Sequence, residues 1–212
     1  MQIENFVFSP FSVNTFVIWE EESLECAIVD PGCSNDGEKL ELESFIIAKN
    51  LEVKYLLNTH CHIDHIFGND FVKNNFHPKF FAPEKDVFLL KMAGEQGNVF
   101  GIKNLTSPEP DEFLSETLKL NLGKIEMQFI FTPGHTPGEF CIYIASEKIC
   151  FTGDALFKDS IGRTDLWGGN FDTLIGSIRN KLFLLPDEVK IFPGHGEPST
   201  IGDEKKYNPF LN

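Results

Sequence analysis

Five of the six histidines stand in three short motifs, and each motif follows an apolar run that reads as a strand. The first is Thr59-His60-Cys61-His62-Ile63-Asp64-His65, after Val53 to Leu57. The second is Pro133-Gly134-His135-Thr136-Pro137-Gly138, after Ile125 to Phe131. The third is Pro193-Gly194-His195-Gly196, after Val189 to Phe192. A lone Asp154, in Thr152-Gly153-Asp154, follows Ile149 to Phe151. Histidine is the commonest metal ligand among side chains. A single histidine is readily explained by packing, whereas five in such turns point to one metal site. A chain that gathers them must bring several strand ends to the same sheet edge.

The rest of the pattern fits that demand. Ile3 to Phe8 and Thr15 to Trp19 read as strands joined at Ser9-Pro10, and Cys26 to Val29 as a third, stopped by Asp30-Pro31-Gly32. Asp36 to Lys49 has a helical apolar face of Leu40, Leu42, Phe45, Ile46 and Ile47. A helix is expected from Asp64 to Asn75, a strand at Phe80-Phe81, and a helix from Glu84 to Ala93. Gly94 to Pro110 reads as a long loop. The second half repeats the scheme, with strands at Thr117 to Leu122, Ile125 to Phe131, Phe140 to Ala145 and Ile149 to Phe151. A helix from Phe171 to Phe183, the strand Val189 to Phe192 and a short helix capped at Thr200-Ile201-Gly202-Asp203 follow. Two strand-then-helix halves predict an α/β chain of two sheets face to face with helices outside. The metal motifs lie on both sides of the central loop, so residues 1–212 are expected to form a single domain.

Composition narrows the functions. A hydrophobic fraction of 42% and 22 Phe support a well-packed core, with Phe filling space between layers. The net charge of −14 disfavours nucleic acid and anionic membranes as partners. Cys26, Cys33, Cys61, Cys141 and Cys150 are odd in number and form no CxxC pair, as expected in a reducing compartment. The start, Met1-Gln2-Ile3-Glu4, lacks the basic and apolar segments of a signal peptide. No apolar stretch approaches the roughly 20 residues of a membrane span. The expectation is a cytoplasmic protein acting on a small molecule.

The ligands can be argued from chemistry. His60 and His62 alternate as strand residues do, so both are expected on one side, with Cys61 pointing away. Asp64 and His65 follow where the chain turns into a helix. His135, Asp154 and His195 each follow a glycine, which lets the backbone crowd the metals. A catalytic zinc usually takes about three protein ligands and a water. Seven ligands with one shared make two such open sites.

The HxHxDH string, with a later His, Asp and His in Gly-rich turns, resembles the metallo-β-lactamase superfamily along the whole chain. Gly134-His135-Thr136-Pro137-Gly138, Thr152-Gly153-Asp154-Ala155-Leu156-Phe157 and Gly162-Arg163-Thr164-Asp165 are similar to the short glyoxalase II-like hydrolases. So is the ending from His195-Gly196 to Asn208-Pro209-Phe210-Leu211. The resemblance implies an αββα sandwich with the site at one edge of the sheets. It implies that His60, His62 and His135 bind one metal, that Asp64, His65 and His195 bind the other, and that Asp154 bridges them. Asp64 and Asp154 are the carboxylates expected in the catalytic centre. The cofactors expected are two divalent ions, zinc first, with iron or manganese as alternatives.

Water bridging two metals is deprotonated near neutral pH and becomes a nucleophile for an acyl carbonyl. A thioester suits such a site because its leaving group is good. Longer glyoxalase II enzymes carry a further C-terminal helical region. They also carry an aromatic residue two positions after the residue matching Arg163, where this chain has Asp165. Arg163 is expected either to bind a substrate carboxylate or to pair with Asp165. Trp167 is expected at a pocket mouth or as a cap on the core, and His77, before Pro78, as structural. The rival functions are a mononuclear iron persulfide dioxygenase and a hydrolase of lactones or phosphodiesters.

Overall fold

A computed structural model describes residues 1–102 and 105–212. It divides into two compact units, residues 1–113 with 121–125, and residues 114–120 with 126–212. Among the described residues, no helix is long and apolar enough to cross a membrane.

The first unit is built on a six-stranded sheet in sequence order, with strands β1 (Gln2–Phe8), β2 (Val13–Trp19), β3 (Glu25–Val29), β4 (Glu52–Leu57), β5 (Lys79–Ala82) and β6 (Glu112–Phe113). The β1–β2 and β2–β3 pairs are antiparallel, and β3 through β6 run parallel. Helix α1 (Asp36–Ala48) forms the β3–β4 crossover. Asn35 caps it by accepting from Glu38 N, and Asp36 and Glu38 complement the dipole of its first turn. Its buried stripe is narrower than expected. Leu42 and Ile46 are buried and Phe45 meets Phe6 and Trp19 edge-on, while Leu40 and Ile47 face solvent. Burying Leu42 and Ile46 contributes about 1.5–3 kcal/mol each.

The helix expected from Asp64 to Asn75 is two helices, α2 (Ile63–Ile66) and α3 (Asn69–Phe76). The break is at Gly68, whose N–H donates to Pro31 O at 2.6 Å. A Cβ there would collide with Cys33 Sγ and Pro31 O. The stretch from Glu84 opens as a 3-10 turn and continues as α4 (Val87–Lys91). Gly94 to Pro110 is not all loop, because α5 (Ala93–Val99) occupies its start; its residues 103 and 104 lie outside the described residues. His77 ends α3 in the left-handed conformation, exposed, with its N–H on Lys73 O.

The second sheet takes the order β14-β13-β10-β9-β8-β7. Its strands are β7 (Lys119–Leu122), β8 (Ile125–Phe131), β9 (Phe140–Ile144), β10 (Ile149–Gly153), β13 (Lys190–Pro193) and β14 (Ser199–Thr200). The β10–β13 pair is parallel while β8–β9, β9–β10 and β13–β14 are antiparallel, so this sheet too is mixed. Strands β11 (Leu156–Phe157) and β12 (Ser160–Ile161) form a separate hairpin that was not expected. Helix α6 (Phe171–Asn180) stops short of Phe183, which falls in a 3-10 turn. Helix α7 (Ile201–Tyr207) begins at the expected cap, with Asp203 N donating to Thr200 Oγ1. Leu174, Ile178, Leu182, Ile191, Ile201 and Leu211 pack into one core of this unit. The α/β class expected, two mixed sheets with helices, is the one found.

Candidate metal centre

Strand β4 delivers the first motif. The chain does not continue the strand past Leu57, so the expected alternation at His60 and His62 is absent. The residues gather by another route. The ring centroids of His60 lie 4.9 Å from His62 and 4.0 Å from His65. Asp64 and His65 sit on the single turn of α2, with His65 Nε2 3.7 Å from Asp64 Oδ2. All four side chains are buried. Asn58 closes the loop from below, donating its amide to His65 O at 3.0 Å and accepting from Asn69 Nδ2 at 2.8 Å.

Asp30 orients this cluster. It was expected only to stop a strand, yet its buried carboxylate reaches the histidine motif. Its Oδ1 accepts from Thr59 N at 2.8 Å, and its Oδ2 accepts from Thr59 Oγ1 at 2.6 Å. Oδ2 also lies 3.0 Å from His65 Nδ1. At that distance the negative carboxylate favours a proton on Nδ1 of His65 by charge. Thr59 Oγ1 spends its hydrogen on Asp30 and therefore accepts from His60 Nδ1, 3.2 Å away. One aspartate thus sets the tautomer of His60 through Thr59 and biases that of His65 by charge, a common way of preparing imidazole ligands.

The second unit repeats the device. His135 Nδ1 lies 2.7 Å from Arg163 O, and a carbonyl only accepts, so Nε2 of His135 is again the lone-pair nitrogen. His135 Nε2 and His195 Nε2 lie 3.5 and 3.6 Å from the same atom, Asp154 Oδ2. The loop carrying His135 is pinned by α6. Ser177 Oγ donates to Pro133 O at 2.7 Å and Asn170 N to Gly134 O at 2.7 Å. Gly134 has φ 140°, and an added Cβ would lie within 3.0 Å of the backbone N and Cα of Leu174. Glycine is required there on both counts. Asp154 is held by its own N–H, which donates to buried Glu139 Oε1 at 2.8 Å. Gly153 has φ 49°, and its carbonyl accepts from Gly194 N at 2.7 Å, tying the ends of β10 and β13.

The other candidates fall as follows. Arg163 makes two parallel 2.7 Å hydrogen bonds with Asp165, Nε to Oδ1 and NH2 to Oδ2. This pairing holds the Asp165 carboxyl down at about 2. Trp167 is half-buried. Cys61 is wholly buried, and burial, aided by the charges of Asp86 and Asp30, pushes its thiol well above the ordinary range. A thiol so placed makes a poor nucleophile. The other four cysteines are also free and buried.

Each unit thus presents imidazole nitrogens beside carboxylate oxygens, with tautomers set from outside. That donor set suits zinc, and suits iron or manganese as well. Asp30, Glu139 and the Arg163 carbonyl are contributors that the motifs do not reveal.

Comparison with known proteins agrees with this chemistry. The family model for the metallo-beta-lactamase superfamily matches residues 8–195. Hydroxyacylglutathione hydrolase GloC of Haemophilus influenzae is 40% identical over 214 residues, covering 100% of this chain and 99% of its own. Among solved structures, the BLEG-1 B3 metallo-beta-lactamase superposes with a TM-score of 0.91 at 32% identity over 100% of both chains. TTHA1623, solved in a di-iron-bound form, gives 0.88 at 28% identity, covering 98% of this chain and 100% of its own.

Proposed function

Because this chain belongs to the metallo-beta-lactamase superfamily, we propose that it is a binuclear metal-dependent hydrolase of thioesters, of the glyoxalase II kind. Residues 1–212 act in this proposal as one catalytic domain. His60, His62 and His135 hold one cation, Asp64, His65 and His195 hold the other, and Asp154 is shared. Zinc is the metal proposed, and the di-iron form of TTHA1623 makes iron the alternative to assay beside it. When bound, two such cations supply a hydroxide at neutral pH and positive charge for an acyl oxyanion. The chain's own part is to hold imidazoles ready. Asp30, through Thr59, and Arg163, through its carbonyl, keep the protons of His60 and His135 on Nδ1.

The Nδ1 contacts of His60 and His135 are the observation that carries the metal-centre reading. The thioester rests on the Haemophilus influenzae relative, which matches across nearly its whole length. No Ser or Cys nucleophile is needed, and the buried Cys61 does not offer one. Arg163 is proposed as a substrate residue only in a state in which its pair with Asp165 opens. The substrate is proposed to be small, since the net charge of −14 repels nucleic acid and anionic membranes, and the compartment to be the cytoplasm.

The test is hydrolysis of S-lactoylglutathione by zinc-loaded protein, with His60→Ala as the blank. Turnover well above the blank is expected. Metal-replete protein that hydrolyses neither this thioester nor one of a simpler thiol would overturn the assignment. Oxygen uptake with a persulfide by the iron-loaded protein would replace it with the dioxygenase.

A further inference from the structure

Cys61 sits between the two candidate ligands His60 and His62, and its backbone is gripped from both sides. Its N–H belongs to the peptide joining His60 to Cys61, and it donates to Asp86 Oδ2 at 3.4 Å. Its carbonyl belongs to the peptide joining Cys61 to His62, and it accepts from Gln96 Nε2 at 3.4 Å. Both contacts are long, so each is weak alone. Neither side chain is free to improve its contact elsewhere at low cost, because Asp86 and Gln96 are wholly buried. Gln96 is aimed by a second bond, from the same Nε2 to Leu89 O at 2.8 Å. Asp86 closes the 3-10 turn before α4, with its N–H on Pro83 O.

Burying a carboxylate and a carboxamide costs several kcal/mol unless they do something in return. Both reach Cys61 from the stretch that runs from the 3-10 turn before α4 into α5, and both converge on the backbone of that one residue. Rotating either peptide plane at Cys61 would swing His60 or His62 away from the other. We propose that Asp86 and Gln96 are positioning residues that clamp the Cys61 peptides and so set the angle between His60 and His62. The inference rests on the proposed metal centre, since only a ligand pair gives that angle a function.

The two residues hold the two peptides that flank Cys61 and act on one quantity, the angle between His60 and His62, so their effects on metal binding must not be additive. The experiment is zinc affinity by chelator competition in the full-length protein for Asp86→Ala, Asp86→Asn, Gln96→Met, the Asp86→Ala/Gln96→Met double variant and His60→Ala. The visible spectrum of the cobalt-loaded forms reports ligand geometry independently of activity. Asp86→Ala and Gln96→Met are each expected to weaken zinc by about 10–100-fold. The Asn variant keeps an oxygen acceptor for Cys61 N–H and is expected within about threefold of wild type. The double variant should lose less than the product of the single losses, and the cobalt spectrum should change in each clamp-breaking variant. Should Asp86→Ala not fold, Gln96→Met carries the test alone. Unchanged zinc affinity and cobalt spectrum in Gln96→Met, with His60→Ala still losing metal, overturn the clamp and leave the metal centre standing. Unchanged affinity in His60→Ala overturns both.

Discussion

Replacing Asp30 by asparagine tests how the first motif is held. The carboxylate accepts from Thr59 N at 2.8 Å and from Thr59 Oγ1 at 2.6 Å, and it lies 3.0 Å from His65 Nδ1. An asparagine has one oxygen and one NH2. If the oxygen keeps Thr59 N–H, the NH2 faces the Thr59 hydroxyl and the His65 N–H. If it is flipped, the NH2 faces Thr59 N–H. Either N–H faces N–H, or the Thr59 hydroxyl has to turn its hydrogen from position 30 to His60 Nδ1 and reverse that tautomer, in a site only 2% exposed. Losing one charge-assisted hydrogen bond and stranding a buried group costs about 2–4 kcal/mol of folding stability. For a chain of this size that lowers the melting temperature by about 5–15 °C. The His60 tautomer is no longer enforced, and metal affinity should fall about 10–100-fold. The assays are urea unfolding of metal-free protein and chelator competition for zinc. A variant that melts with wild type and holds zinc within twofold would refute the role given to Asp30.

Further outcomes follow from other contacts. Gly134→Ala places a Cβ against the Leu174 backbone at a φ of 140°, and strain plus overpacking should cost about 3–5 kcal/mol, read by urea unfolding. Burial pushes the Cys26 and Cys33 thiols up to about 12, and Cys61 and Cys141 also lie well above the ordinary range. None of the five thiols should react with Ellman's reagent in native protein at pH 8, and all five should react in urea. The sign of the linked stability is fixed by the same shift. Below about pH 8.5 both states keep the thiol protons, and above it only the unfolded chain releases them, so the urea midpoint should fall as pH rises from about 8.5 towards 12. Asn208→Ala removes its bonds to Ser160 O at 3.0 Å and Glu204 Oε2 at 2.7 Å and should cost about 1–3 kcal/mol, seen as a lowered melting temperature.

What could be read from the residues divides along a physical line. Strands such as Val13–Trp19 and Ile125–Phe131 announce themselves because their apolar runs are local. So does the Thr200 cap, whose partner Asp203 is three residues on. The break between α2 and α3 does not, because Gly68 is held by Pro31 and crowded by Cys33, both more than thirty positions earlier. Helix α5 hides behind two glycines of poor helix propensity. It persists because Gln96 is buried and Gly97 sits tight against the Ile102 carbonyl. The histidine motifs were legible as donors, but their orienters were not. Asp30 reads as a turn residue, and the Arg163 carbonyl has no side-chain signature at all. A backbone acceptor becomes visible only when the chain is folded.

The bonds of Asn208 bear on the order in which the molecule is completed. The β11–β12 hairpin, which follows Asp154, is tied by Asn208 to Ser160 O and by Glu204 to Asp159 N. Leu211 packs in the same core as Leu156 and Ile161 and accepts from Arg179 NH2. These ties come about fifty residues after the hairpin they secure. At the usual pace of synthesis the hairpin waits roughly 3–10 s for them. During translation the segment bearing Asp154 and the Arg163 carbonyl is therefore among the last parts of its unit to be locked, and a nascent chain arrested before Asn208 would present His135 and Asp154 on an unfastened scaffold.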